Sequence, residues 1–170
     1  MTPESLVELL DVLDSESIEV WLDGGWGVDA LLGEQTRSHN DVDLIVGVGD
    51  LARLATALRA RNYVVVPGGT SSNMVYRNDL GLEVDIHAVA FDALGNGNYQ
   101  MANGEYWNYP ADGFSGKGSV GGRAVRCLTP EVQVLGHATG YAPAGKDIDD
   151  MERLRARFGV ALPPHLRRHN

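Results

Sequence analysis

Leu6, Leu9, Leu10 and Leu13 recur at offsets of three, four and seven, which predicts an amphipathic helix at the start of the chain. Thr2 is placed to cap it, with Pro3 at its first position. Residues 18–22 predict a short strand. Asp23-Gly24-Gly25 breaks that strand, and residues 26–32 predict a short helix ending near Gly33. Residues 41–46 alternate polar and apolar, the signature of a half-buried strand. Leu51, Leu54, Ala55 and Leu58 mark a second amphipathic helix. Residues 63–66, 73–77 and 82–87 predict three further strands, the last two separated by the turn-like Asn78-Asp79-Leu80-Gly81. The segment 93–122, rich in Gly, Asn and Tyr, predicts irregular hairpins and loops. Residues 124–128 predict a strand. Thr129 and Pro130 open a helix running toward His137, and Met151, Leu154 and Phe158 place a last helix closed by Gly159. No repeat or linker divides the chain. The pattern predicts one mixed α/β (α+β) domain over residues 1–170, a small mixed sheet flanked by helices. Its core spans about residues 1–90, its loops and C-terminal helices about 91–165, and the basic tail 167–170 is expected to fray.

Composition narrows the classes. The 14 Lys+Arg against 23 Asp+Glu give a formal charge of −9. That balance argues against nucleic-acid binding, which needs clustered basic residues, and is compatible with a cationic small-molecule substrate. No apolar run approaches the roughly 18–20 residues of a membrane span, and the first residues carry no basic leader, so no membrane association and no signal peptide are expected. Cys127 is the single cysteine, which excludes an internal disulfide and a cysteine-based zinc cluster. The expectation is a cytoplasmic protein, monomeric or homodimeric.

The chemistry concentrates between residues 21 and 44. Asp41 and Asp43 stand at i and i+2 of a strand and project to one face. Two carboxylates held so close repel unless a cation lies between them, and hard oxygen ligands suit Mg²⁺. A solvated strand face accounts for an isolated pair equally well. The second such triplet, Asp147-Ile148-Asp149, lies at a helix start and reads as capping charge. Gly24-Gly25 lies between a strand and a helix, where glycines admit a phosphate close to backbone N–H groups, although an ordinary turn has the same composition. Glu83 and Asp85 form a third carboxylate pair, and a neighbouring strand position would bring Asp85 beside Asp41 and Asp43. Three carboxylates around a metal pair is the geometry of two-metal phosphoryl or nucleotidyl transfer.

The ordered set of segments 21–29 (Trp-Leu-Asp-Gly-Gly-Trp-Gly-Val-Asp), Thr36-Arg37-x-His39-x-Asp41-x-Asp43 and Val84-Asp85-Ile86-His87 resembles the small lincosamide nucleotidyltransferases and their relatives, the aminoglycoside 2″-nucleotidyltransferases. Cys127, Glu131, Gln133, His137, Gly140-Tyr141, Asp147 and Asp150 continue the resemblance over most of the chain. Ala88 departs from an expected proline, and the segment 92–122 has little counterpart. The resemblance implies a polymerase-β-like nucleotidyltransferase fold. It implies transfer of a nucleoside monophosphate, typically AMP from Mg²⁺-bound ATP or another NTP, to an antibiotic hydroxyl. A lincosamide is the favoured acceptor and an aminoglycoside the second.

By the same resemblance Asp41 and Asp43 are metal ligands for Mg²⁺, two ions being expected, and Asp85 is a third ligand or the base that accepts the hydroxyl proton. Glu83 is a weaker candidate for that duty. Gly24, Gly25 and the Trp26 N–H would cradle the triphosphate, Arg37 would clamp a phosphate, and Lys146 would reach the leaving pyrophosphate. Arg37 and Lys146 read equally as surface charges. His39 would orient Asp43 or touch a phosphate, and a structural histidine remains the commoner use. Tyr141 would line the nucleotide site or pack under a helix. Tyr99, Tyr106, Trp107 and Tyr109 form an aromatic group suited to a sugar-like acceptor or to a small core. Two other classes remain open: a glycosyltransferase using Asp41-x-Asp43 on a sugar nucleotide, and a non-catalytic nucleotide-binding, antitoxin-like module.

Overall fold

In the computed structural model, which describes residues 1–101, 103–138 and 142–166, helix α1 (Pro3–Ser15) starts as its sequence predicts. Thr2 Oγ1 accepts the Ser5 N–H at 3.2 Å, and Leu6, Leu9, Leu10 and Leu13 are buried. Strand β1 (Val20–Asp23) runs directly into helix α2 (Gly24–Leu32). The two glycines therefore form the helix's first turn instead of a loop ahead of it. Gly33 closes α2 in the left-handed conformation. Then follow β2 (Asp41–Gly47), α3 (Leu51–Arg59), the two-residue β3 (Val64–Val65), β4 (Asn73–Arg77) and β5 (Glu83–Phe91). Both valines of β3 are exposed, and Tyr63 before them is the residue that enters the core.

The segment 93–122, expected to form irregular hairpins and loops, is largely regular β-structure. It holds β6 (Gly97–Gln100), β7 (Tyr106–Tyr109), a 3-10 turn (Ala111–Ser115) and β8 (Gly116–Val120). Its outward positions are Asn, Gln and Lys, residues of low strand propensity. What holds it is pairing: β6 extends the sheet along the far half of β5, Val89 facing Tyr99, and Asn108 donates to Asn98 across the hairpin at 2.9 Å. Strand β9 (Arg123–Cys127), helix α4 (Pro130–His137) and helix α5 (Gly145–Phe158) complete the chain. Thr129 caps α4 without a side-chain hydrogen bond. Phe158 is 41% exposed, so Met151 and Leu154 alone carry the apolar face of α5. Tyr141 and the tail 167–170 lie outside the described residues.

Among the described residues nine strands form one mixed sheet, larger than expected, in the order β3-β4-β5-β2-β1-β9-β8, with β6 and β7 continuing from β5. Strands β2 and β5 are parallel neighbours, because the chain crosses over through α3 between them. Alternation sorts their side chains. Val42, Leu44 and Val46 join Val84 and Ile86 in a core beneath α1 and α3. Each fully buried Leu or Ile there contributes about 1.5–3 kcal/mol. Asp41, Asp43, Asp85 and His87 occupy the opposite face, beside a second cluster built on Trp21, Ile45, Val89, Tyr99 and Tyr109. A third cluster, with Val28, Val134, Met151 and Leu154, joins α2, α4 and α5.

Close backbone approach fixes α2 against the sheet edge. A Cβ on Gly118 of β8 would lie 2.2 Å from the Ala30 carbonyl oxygen. Gly118→Ala is expected to destabilise the fold by about 1–3 kcal/mol through overpacking. Gly49→Ala, where no atom lies within 4 Å, should stay within about 0.5 kcal/mol of the parent. Urea denaturation of the two variants measures the difference.

Candidate active site

The parallel register sets Asp43 of β2 opposite Asp85 of β5 and Asp41 opposite Glu83. On the other side of β2, the antiparallel register sets Asp23 of β1 opposite Asp43. Asp23, Asp43 and Asp85 thus form a row across three adjacent strands, with Asp41 one pleat away. The row has electrostatic consequences. Burial, followed by the charges of Asp23, Asp85 and Asp41, pushes the Asp43 carboxyl up to about 6 against the pull of His87. Asp85 is raised by burial first and by Asp41 and Glu83 next. Its Oδ1 is buried without a hydrogen-bond partner. Burial alone would raise Asp23, yet His87 and the Gly24 N–H hold it below the usual carboxylate range. Burial would depress His87, but Asp23, Asp43 and Asp85 outweigh it and hold the imidazole above its usual value. His87 Nδ1 stands 3.8 Å from Asp23 Oδ2, an electrostatic contact too long for a hydrogen bond. Glu83 is held elsewhere, its Oε1 accepting the Arg77 Nε–H at 2.6 Å.

The first turn of α2 lies against this row. Gly24 has a φ of +57°, and a Cβ there would sit 2.2 Å from Asp43 Oδ2. Only glycine meets both conditions. Asp23 Oδ1 accepts the Gly24 N–H at 2.8 Å, and the following N–H groups, at Gly25 and Trp26, belong to the helix N-terminus, where no intrahelical acceptor exists. The Trp26 side chain is not part of the surface: it is 2% exposed and packs on the His39 ring at 4.7 Å.

A cavity of about 450 Å³ opens over these groups. One side holds Asp23, Gly24, Gly25, Asp41 and Asp43, with Arg37 and His39 beneath the glycines. Another carries Tyr99, Met101, Trp107 and Tyr109 from the β6–β7 hairpin, and His87 stacks on Tyr99 at 5.3 Å. The third side is Gly136 and His137 of α4 with Lys146 and Asp147 of α5. Tyr106 lies on the opposite pleat and is 70% exposed, so it leaves the aromatic group. Lys146 is exposed on the first turn of α5 at the cavity's border, and Asp147 caps that helix by accepting the Ala144 N–H at 2.8 Å.

Two expectations change. His39 does not orient Asp43: its Nε2 lies 2.5 Å from Asp29 Oδ2 and its Nδ1 3.0 Å from Arg37 Nη1, so both ring nitrogens are engaged by groups other than Asp43. Arg37 is not a free surface charge: its Nε and Nη2 donate to Asp150 Oδ2 at 3.0 and 2.8 Å, and its side chain is 25% exposed at the cavity. Asp23, Asp29 and Asp150 are the polar residues whose placement sequence reasoning missed. Asp29 carried a signal, a carboxylate between Val28 and Ala30 on the buried side of a short helix.

The acidic row fits a divalent cation. Its donors are hard oxygens, one of them orphaned, and burial followed by their crowding raises two carboxyls. Among the described residues no three His, Cys, Asp or Glu side chains already converge on one point. That suits Mg²⁺, which commonly takes one or two carboxylates and completes its shell with water and nucleotide phosphates.

Asp43 provides a test of the crowding without any metal. A carboxyl raised to about 6 in the folded state and near 3.9 when unfolded binds its proton more tightly when folded. The contribution of Asp43 to stability is therefore expected to fall as pH rises from about 4 through about 6. Asp43→Asn lacks this loss. In EDTA its Tm should gain on wild type as pH rises from 4.5 to 7, and a difference constant across that range would contradict the raised Asp43 carboxyl.

The sequence model of the family described as aminoglycoside-2″-adenylyltransferase matches residues 5–154. A lincosamide resistance protein of Staphylococcus haemolyticus is 30% identical over 158 residues, covering 92% of this chain and 96% of that protein. The crystal structure of the lincosamide antibiotic adenylyltransferase LnuA, with lincomycin bound, matches with a TM-score of 0.80 at 27% identity, over 92% of this chain and 98% of its own. ANT(2″)-Ia in complex with adenylyl-2″-tobramycin matches with a TM-score of 0.74 at 19% identity, over 92% and 89%, and supports the fold alone. Because the matched span runs from α1 through most of α5 and contains the glycine turn, all four acidic positions and the aromatic hairpin, the chain belongs to the aminoglycoside-2″-adenylyltransferase family of nucleotidyltransferases.

Proposed function

We propose that this protein transfers AMP from Mg²⁺-bound ATP to a hydroxyl of an amine-bearing antibiotic, a lincosamide in preference to an aminoglycoside. The observation that carries the reading is the in-register pairing of Asp43 with Asp85 on neighbouring strands, with Asp43, Asp41 and the glycine turn lining an aromatic-walled cavity. Asp41 and Asp43 are the residues that would hold Mg²⁺, with Asp85 either a third ligand or the base. Bound there, the ion would neutralise phosphate charge and draw electron density from the α-phosphorus.

The chain's own groups supply the rest. The Gly25 and Trp26 N–H groups at the α2 N-terminus receive phosphate oxygens. Arg37 adds a fixed positive charge beside them, which a protein of net charge −9 needs in order to accept a polyanion. Lys146 reaches the leaving pyrophosphate from the border of the cavity. Asp85 takes the proton of the acceptor hydroxyl; its raised carboxyl makes it a better base than an ordinary aspartate. The acceptor oxygen forms a bond to the α-phosphorus, the bond to the bridging oxygen of pyrophosphate breaks, and pyrophosphate departs with its electron pair. Positioning accounts for much of the rate.

The acceptor preference rests on the hairpin wall. Tyr99, Met101, Trp107 and Tyr109 offer apolar and aromatic surface, suited to an amphipathic acceptor with one amine. A polycationic aminoglycoside calls for more carboxylates than this wall presents. Incubation with ATP, Mg²⁺ and a panel of both antibiotic classes should add one adenylyl group to the lincosamides, read by mass spectrometry. Modification of the aminoglycosides alone would reverse the preference, and no modified acceptor would remove the reading.

Asp85→Asn is expected to separate binding from chemistry. If Asp85 is the base, affinity for Mg²⁺-nucleotide stays near wild type while kcat falls by about 10²–10⁴. Lost nucleotide affinity, partly restored by excess Mg²⁺, would instead make it chiefly a ligand. Titration of Mg²⁺ against both binding and turnover distinguishes the two.

A further inference from the structure

We propose that His39 is a positioning residue for nucleotide binding that acts through Arg37 and touches no substrate, an inference that rests on Arg37 meeting a phosphate. The hydrogen-bond network assigns the state of its ring. A guanidinium has only donors, so His39 Nδ1, 3.0 Å from Arg37 Nη1, is an acceptor. The hydrogen therefore sits on Nε2, which donates to Asp29 Oδ2 at 2.5 Å. Asp29 is held in turn, its Oδ1 accepting the Thr36 N–H at 3.1 Å and the Thr36 hydroxyl at 2.6 Å.

Arg37 is thereby gripped from two directions. Asp150 of α5 takes Nε and Nη2, and His39 takes Nη1. One N–H on each terminal nitrogen lies outside these bonds, on a side chain that borders the cavity. The gripped pair also forms the seat of the phosphate turn. A Cβ on Gly25 would meet Arg37 Nη2 and His39 Cε1, each at 2.5 Å. The Gly25 backbone and the outer edge of Arg37 are thus held side by side before any ligand arrives. An arginine already fixed loses little side-chain freedom on gripping a phosphate, whereas a loose one loses much. His39 itself is 4% exposed and both of its nitrogens are engaged, so its influence on a ligand passes through Arg37.

Calorimetric titration of a non-hydrolysable ATP analogue into the whole protein tests this as a double-mutant cycle, with acceptor KM and kcat measured alongside. His39→Ala should weaken nucleotide binding about tenfold and leave the acceptor KM near wild type. In an Arg37→Ala background the same change should bring no further loss, because the residue through which it acts is gone. His39→Asn, whose amide oxygen replaces Nδ1 as acceptor, should recover most of the affinity. If His39→Ala does not fold, His39→Gln takes its place. Its amide nitrogen reaches Asp29 but leaves Arg37 without an acceptor, so it should bind as weakly. Losses that add in the double variant, or nucleotide affinity unchanged on losing His39, would overturn the proposal. Arg37→Ala binding nucleotide like wild type would remove the phosphate reading of Arg37 and this proposal with it, while leaving the reaction class to the acceptor assay.

Discussion

The pairing of Asp43 with Asp85 across adjacent parallel strands sets the terms for the rest of the molecule, because neighbouring positions on one sheet face hold their carboxylates together whatever the solvent prefers. Asp23 lengthens the row on the other side. The sheet cannot relieve the crowding by turning these residues away, since a shift of one residue would send Val42, Leu44 and Ile86 to the polar face and dismantle the main core. The charge therefore stays, and the structure answers it locally. Asp43 is pushed up to about 6, Asp85 is raised, and His87 is held above its usual value beside both. A site so arranged gains from a cation and from the phosphates that accompany one.

Other features follow from holding that face open. Helix α2 must bring its N-terminus up to Asp43, which is why Gly24 combines a positive φ with contact against the carboxylate. The loop before β2 must seat the same turn from below, and it does so with Arg37 and His39. Their charge and polarity are balanced inside the protein by Asp29 and Asp150, 2% and 1% exposed. Two buried carboxylates without partners would be strongly destabilising; bound to Arg37, His39 and Thr36 they tie α2, α5 and the loop before β2 into one unit. The β6–β7 hairpin closes the remaining side with aromatic rings.

The sequence by itself determined the elements whose periodicity reports burial. Leucines at helical spacing place α1 and α3, and alternation places β2. It also singled out Asp41, Asp43, Asp85 and the glycine turn as candidates, since residue type and spacing within single elements are enough to read carboxylate pairs and a strand-to-helix glycine turn. The hairpin was not legible, because Asn98, Asn108 and Gln100 stabilise strands there only through their partners across the ladder. Nor were the roles of Asp23, Asp29 and Asp150. Asp23 joins the acidic row only when β1 lies beside β2, and Asp150 reaches Arg37 from 113 residues away. Whether His39 faces Asp43 or turns to Asp29 depends on how α2 packs against the loop before β2. Only the tertiary structure decides such matters, because electrostatic and hydrogen-bonding roles belong to pairs of groups, and sequence spacing fixes distance only within a single helix or strand.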